Sequence, residues 1–258
     1  MKALLFILLL ATLPVAAQKA PPAAPSEPTA QPIAPTRWHA VLVAGDASLQ
    51  VWDRAVEVMG NGLREGGNTT SIRAFSARPD RIQRGAERAD PRAVLNAIAG
   101  LRPAAGEGCF IFMTMHGDRG AGLVLPEANA VIGPAALDRA LSQGCGQAPT
   151  VVVTSGCYTG IFAQEPMARP NRAIYTAARP DRSSFGCAPQ FAVTVYDGCL
   201  IAEMARATAP AALGQSTAEC VRREEVRQNM NPPSGPQMVL GAGAPLSLPR
   251  FTPRKPDA

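Results

Sequence analysis

The sequence predicts one α/β domain in which a mostly parallel β-sheet is covered by helices on both faces. Short apolar runs alternate along the chain with segments whose apolar residues recur at helical spacing. This alternation is typical of parallel strands joined by crossover helices. The runs are apolar along their whole length rather than at every second position. Strands buried on both faces have that composition.

The first half of the predicted domain reads as strand, helix, strand, helix. Residues 39–45 predict the first strand, residues 49–65 a helix and residues 70–75 the second strand. Asp90 and Pro91 are residue types typical of an N-cap and a first helical position, so we expect the second helix to begin there.

The second half continues the alternation around a hairpin. The predicted elements are a third strand at 109–115, a hairpin at 121–132, a helix from 134 to about 142, a fourth strand at 149–154, a fifth strand at 171–176, helices at 191–207 and 216–229, and a last strand at 237–240. Ser216 and Glu219 match a capping box, which predicts that the last helix begins at Ser216.

The two ends of the chain do not fit the domain pattern. Residues 1–17 hold an apolar run too short to cross a bilayer core of ~30 Å, and they end in small residues, which predicts a cleaved signal peptide. An uncleaved N-terminal anchor is the alternative. Residues 18–36, rich in Pro and Ala, predict a linker, residues 37–248 the domain and residues 249–258 a flexible tail. We therefore expect a secreted or periplasmic protein without stable membrane insertion after signal removal.

The charge pattern argues against nucleic acid as a partner. The net charge is +5, and the arginines are scattered without aromatic residues between them. Proteins that bind single strands combine basic grooves with aromatic stacking platforms. We interpret the basic stretch at residues 73–92 as solvated surface.

Six cysteines in an exported chain favour disulfides. Cys109 and Cys145 both precede a predicted strand, and neighbouring parallel strands would bring them together, so we expect them to pair. Of Cys187, Cys199 and Cys220, two would pair and one would stay free. The chain has no C-x₂-C or His cluster, so no zinc site, other metal or cofactor is predicted.

His116 and Cys157 are the candidate catalytic pair. Each directly follows a predicted buried strand, and the carboxyl ends of parallel strands meet at one edge of the sheet. An imidazole next to a thiol makes it a better nucleophile. A lone buried Cys or His is usually structural, but their joint placement favours catalysis. His39 begins the first strand and should lie at the opposite edge, while the amides of Gly117 and Cys157 are candidate oxyanion donors.

Two short motifs resemble a known clan of cysteine peptidases. Residues 115–118, Met-His-Gly-Asp, and residues 154–160, Thr-Ser-Gly-Cys-Tyr-Thr-Gly, resemble the clan of caspases, legumain, gingipains and clostripain. Within it the chain is most similar to the legumain-like C13 branch. The resemblance implies the caspase-haemoglobinase fold, a three-layer α/β/α arrangement, and a cysteine endopeptidase that forms an acyl-enzyme. Some relatives transfer the acyl group to an amine instead, as transpeptidases.

The resemblance also implies a substrate pocket. Residues 182–187, Arg-Ser-Ser-Phe-Gly-Cys, resemble the wall of legumain's primary specificity pocket, which makes Ser183 and Ser184 candidate substrate-binding residues. Ser155 stands where legumain has a glutamate two residues before its nucleophile. Asparagine specificity is therefore not implied for this chain.

The resemblance places the Asn that orients the histidine of legumain at Val51 of this chain. It places the Arg of legumain's pocket at Asp53, or at Arg54 if the alignment shifts by one. With Asp53 and Asp197 in the pocket, a basic P1 residue is expected instead of asparagine.

Two rival functions are weighed against the peptidase. A catalytically inactive relative would bind a peptide or partner in the cell envelope through the same groove, whereas the peptidase takes a peptide or protein as substrate. A thiol redox protein would need a resolving cysteine close by, and the chain has no C-x-x-C.

Overall fold

The computed structural model describes residues 32–253. The predicted signal peptide at 1–17, residues 18–31 of the predicted linker and residues 254–258 of the predicted tail lie outside the described residues.

Ten strands of the described segment form two sheets. In chain order they are β1 Arg37–Ala44, β2 Thr69–Ser76, β3 Glu87–Arg88, β4 Glu107–Thr114, β5 Gly117–Asp118, β6 Gly122–Leu125, β7 Ala130–Ile132, β8 Thr150–Ser155, β9 Arg172–Thr176 and β10 Gln237–Leu240. The large sheet has the order β10-β9-β8-β4-β1-β2-β3, and β5, β6 and β7 form a small antiparallel sheet. Every neighbouring pair in the large sheet is parallel except β9 and β10.

Helices cover both faces of the large sheet. They are α1 Val51–Gly66, α2 Pro79–Ile82, α3 Pro91–Ala99, α4 Pro134–Gly144, α5 Val195–Met204 and α6 Pro210–Arg227. Residues of α1, α5 and α6 pack in one core cluster, and residues of α3 and α4 pack in the other. This arrangement confirms the predicted three-layer α/β/α fold of the caspase-haemoglobinase type. Within residues 32–253, no helix is both long and apolar enough to cross a membrane.

The apolar runs are explained by burial on both faces of the strands. Successive side chains of a strand point to opposite faces. In β1, Leu42 joins the cluster with α1 while Val41 and Val43 join the cluster with α3 and α4. In β4, Phe112 and Ile111 divide in the same way. Both faces therefore demand apolar residues, which removes the polar alternation of a half-exposed strand.

The predicted start of the last helix is wrong. α6 begins at Pro210, six residues before the predicted start, because a proline suits the first helical position. Ser216 lies inside the helix, where its hydroxyl donates to the Leu213 carbonyl at 3.3 Å instead of capping. The predicted helix at 191–207 is also shorter, since Thr194 caps α5 by accepting the Asp197 N–H at 3.1 Å.

The first residues of the predicted tail are packed against the domain. Phe251 is 8% exposed and belongs to the core cluster of α1. The Thr252 N–H donates to the Gly62 carbonyl at 3.0 Å, and the Arg250 N–H donates to the Asn68 side chain at 2.8 Å. Residues 249–253 therefore differ from the flexible segment expected there.

Two disulfides cross-link the domain. Cys109 pairs with Cys145, which confirms that prediction. The second bond joins Cys199 of α5 to Cys220 of α6. Cys157 and Cys187 remain free. Among Cys187, Cys199 and Cys220, the cysteine predicted to stay unpaired is therefore Cys187.

Candidate active site

Strand register brings His116 and Cys157 to one edge of the sheet. β4 and β8 are parallel neighbours, and Thr114 pairs with Ser155. His116 and Cys157 each follow two residues after that pair. β1 and β4 lie side by side in the sheet although β2 and β3 separate them in the chain. The site therefore lies beside the change in strand order, where ligands bind in open α/β sheets.

Two glycines let the loops after β4 and β8 touch. A Cβ on Gly117 would lie 1.9 Å from the Cys157 carbonyl oxygen and 3.2 Å from the Cys157 nitrogen. A Cβ on Gly156 would lie 2.5 Å from the Met115 carbonyl oxygen. Real side chains do not tolerate such contacts, so glycine is required at both positions. The backbone of Gly117, the predicted oxyanion donor, thereby lies against the backbone of Cys157.

The Cys157 thiol is held by the segment after β9. The Ser184 N–H donates to the sulfur at 3.3 Å, and the Ser184 carbonyl and hydroxyl oxygens lie 3.7 Å from it. Tyr158, with a φ of 60°, donates its N–H to the Arg182 carbonyl at 2.8 Å. The hydroxyl of Ser183 contacts that of Tyr158 at 3.2 Å. Ser184 is thus in contact with Cys157, and Ser183 contacts the residue that follows it.

The His116 imidazole contacts two residues that sequence reasoning missed. Its Nε2 lies 3.9 Å from Oδ2 of Asp46, and its ring packs edge-on against Trp52. Asp46 comes two residues after the end of β1, at the same edge of the sheet, which was the available signal. Trp52 lies in the first turn of α1 and is fully buried, so its residue type predicts only a core position. Among the described residues, no hydrogen bond joins the imidazole to the thiol, and the His116 side chain is 46% exposed.

Asp197 is buried below the two catalytic candidates. The Thr114 hydroxyl donates to its Oδ2 at 2.7 Å, and Oδ1 has no hydrogen-bond partner among the described residues. Burial raises the pKa of the Asp197 carboxyl, and the hydroxyls of Thr114, Ser155 and Thr194 act against that shift. Ser155 is 2% exposed and Asp197 is fully buried. The site therefore contains a desolvated carboxyl group that has no cationic partner within residues 32–253.

Cys187 is a second thiol close to the site. Burial raises the pKa of the Cys187 thiol to about 12, and the negative charges of Cys157, Asp197 and Asp46 add to that shift. A thiol with such a pKa stays protonated at neutral pH and is a poor nucleophile. The Cys187 thiol therefore stays protonated beside Cys157, the candidate nucleophile.

Asp53 does not join the site, contrary to its predicted role in substrate binding. It accepts a hydrogen bond from the Ser76 hydroxyl at 2.5 Å, at the end of β2. Its other oxygen lies 3.9 Å from Nε of Arg78, and it lines a separate cavity of about 220 Å³. The first turn of α1 directs this side chain over β2, two strands away from β4. Arg54 is exposed and lines another cleft, of about 410 Å³.

Residues 101–222 match the Peptidase C13 family. The match supports a legumain-like C13 assignment for this chain, as the motifs around His116 and Cys157 predict. Both residues lie within the matched segment, as do Ser184 and Asp197, and the family implies cysteine peptidase activity in general. No curated protein matches the chain significantly.

Proposed function

We propose that the chain is a cysteine endopeptidase in which Cys157 is the nucleophile and His116 the general base. His116 accepts the thiol proton, and the thiolate attacks the carbonyl carbon of the scissile peptide bond. The amides of Gly117 and Cys157 donate to the oxyanion of the tetrahedral intermediate. The C–N bond then breaks as His116 returns the proton to the departing amine.

Water resolves the resulting thioester. His116 removes a proton from the attacking water, the C–S bond breaks, and the thiol recovers a proton as the carboxylic acid product leaves. An amine in place of water would give transpeptidation by the same residues.

The observation that carries this proposal is the register of β4 and β8. Thr114 pairs with Ser155, and His116 and Cys157 each come two residues after that pair. The backbones of the two loops are in contact at Gly117. The Ser184 N–H directed at the sulfur would stabilise a thiolate, because a hydrogen bond to the charged form of a group favours that form. The mechanism requires the partly exposed His116 ring to approach the sulfur when substrate binds, and catalytic hydrogen bonds are often long before that.

A reactive-thiol probe with a peptide-like acyl group tests the assignment. We expect labelling of the wild type at neutral pH, no labelling of Cys157→Ala and greatly slowed labelling of His116→Ala. Cys187→Ala is the matched control, because it removes the neighbouring free thiol whose raised pKa keeps it protonated. Labelling that survives Cys157→Ala and disappears with Cys187→Ala would contradict the proposal.

A non-catalytic peptide-binding module is the second candidate. It is favoured by one observation, namely that the thiol contacts Ser184 and not the imidazole. A folded wild type that binds peptides but neither cleaves them nor reacts with the probe would establish this alternative.

We further propose that the peptidase prefers a basic P1 residue. Asp197 is a buried carboxyl with one oxygen that accepts no hydrogen bond from the described part of the chain, and a cationic side chain would supply a countercharge. Because Asp53 lies over β2, Asp197 alone carries this preference. Reporter peptides with Arg, Asn or Asp at P1 test it: we expect cleavage of the Arg peptide, lost in Asp197→Asn. Equal rates on the three peptides would refute a charged pocket.

A further inference from the structure

We propose that Asp46 is the positioning residue of His116, holding the imidazole at the sheet edge and stabilising the imidazolium formed during acyl transfer. This inference rests on the proposed function, because it assigns a role within the same reaction. It adds a third strand, β1, to the two that deliver the catalytic pair.

The register of three adjacent strands places the three side chains in a row. Ala44 of β1 pairs with Thr114 of β4, and Thr114 pairs with Ser155 of β8. Asp46, His116 and Cys157 each follow two residues after these partners. His116 therefore follows the middle strand of the three, with Asp46 after one neighbouring strand and Cys157 after the other, which is the order that a nucleophile, its base and the group orienting the base require.

The environment of Asp46 makes its charge effective. The residue is 1% exposed, and among the described residues its only ion-pair partner is His116, at 3.9 Å. Its Oδ1 accepts the Ser48 N–H at 2.7 Å, which fixes the carboxylate and leaves Oδ2 directed at the imidazole. A buried carboxylate interacts strongly with a charge that forms beside it. The attraction is greatest when His116 carries the thiol proton. It therefore stabilises the transition state more than the complex with bound substrate.

The residue that resemblance to legumain would assign to this role cannot perform it. That position falls at Val51, which has no polar side-chain atom and is 3% exposed at the start of α1. Asp46 lies five residues earlier, in the loop between β1 and α1, and has the hydrogen-bonding group that Val51 lacks.

Asp46→Asn separates the charge from the local structure. The amide oxygen of Asn still accepts the Ser48 N–H, so the turn is kept while the charge is lost. The matched control is Asp90→Asn, at the start of α3 and away from the site. Like Asp46, Asp90 accepts backbone hydrogen bonds, in its case from the N–H groups of Arg92 and Ala93. We expect Asp46→Asn to lower kcat about 100-fold with KM within about threefold of wild type. Asp90→Asn should leave both constants unchanged.

The outcomes distinguish this inference from the proposed function. If wild type cleaves peptides and Asp46→Asn retains kcat within about threefold, the Asp46 inference is overturned while the peptidase stands. A raised KM with unchanged kcat would also overturn it, because that pattern indicates a role in substrate binding. If wild type itself neither cleaves nor reacts with the probe, the proposed function fails. Should Asp46→Asn not fold, Asp46→Ser keeps an acceptor for the Ser48 N–H and tests the same loss of kcat.

Discussion

The ring of His116 packs edge-on against the indole of Trp52, with centroids 4.9 Å apart and planes at 70°. Trp52 is fully buried in the first turn of α1, so the contact joins the exposed candidate base to the rigid core. Edge-to-face geometry is the favourable arrangement for aromatic pairs. The core thereby restricts the positions open to the imidazole.

Trp52→Phe should lower kcat about tenfold, because a smaller ring leaves the imidazole less restrained. Trp38→Phe is the matched control: Trp38 is also fully buried in the same core cluster, at the other end of β1. Both variants should lose a similar 1–3 kcal/mol, roughly, in the free energy of unfolding. Steady-state kinetics and urea unfolding separate the effects, and an equal loss of kcat in both would argue against a specific contact with His116.

Gly117→Ala should abolish most of the activity. The added methyl group would lie 1.9 Å from the Cys157 carbonyl oxygen, so the two loops must separate and the proposed oxyanion amides move apart. Loss of one oxyanion donor costs about 10²- to 10³-fold in kcat. Gly60→Ala is the control, since its nearest neighbour would be the Leu42 side chain at 3.3 Å and it lies inside α1. Kinetics with a cleaved reporter peptide measure the difference; retained activity in Gly117→Ala would contradict the proposed geometry.

Asp138→Asn should destabilise the domain at neutral pH but not in acid. Asp138 forms ion pairs with Arg172 at 2.8 Å and Arg169 at 2.9 Å, and Arg172 is 2% exposed. Burial acts to raise the Asp138 pKa, but the hydrogen bonds and charges of the two arginines hold it below its usual 3.8. The stabilisation is thus fully present above about pH 4 and is lost as pH falls through the lowered pKa.

Removing the carboxylate leaves the Arg172 guanidinium buried without countercharge, which costs about 3 kcal/mol in unfolding free energy. Denaturant unfolding of wild type and Asp138→Asn at pH 7 and pH 3 measures it. The control is Asp181→Asn: its pKa is also lowered by arginines, but it lies in an exposed pair, and no measurable change is expected. A pH-independent difference for Asp138→Asn would contradict the ion-pair explanation.

Asp197→Asn should stabilise the fold while it removes the preference for basic P1 residues. Because burial raises the pKa of Asp197, its ionised form is penalised in the folded state above the folded pKa. That penalty disappears as pH falls below the unfolded pKa. We expect a gain of about 1 kcal/mol at pH 7 that shrinks toward pH 4. Thermal unfolding across this range measures it, and lower stability at pH 7 would show that Asp197 is satisfied as it stands.

The sequence alone determined the architecture and singled out the candidate catalytic pair. The apolar runs of β1, β4 and β8 could be predicted because strands buried on both faces admit few polar residues. His116 and Cys157 could be paired because they follow two such strands, and the parallel sheet aligns the ends of its strands. The Cys109–Cys145 bond followed from the same logic.

Only the tertiary structure decided which other groups surround the pair. Asp46, Trp52 and Asp53 come from one short stretch of chain, yet the loop after β1 and the first turn of α1 send their side chains to different neighbours. Asp46 and Trp52 reach His116, while Asp53 reaches Ser76 at the end of β2. Residue type and spacing do not specify these directions, because they depend on how α1 is rotated against the sheet and hence on packing between residues distant in sequence.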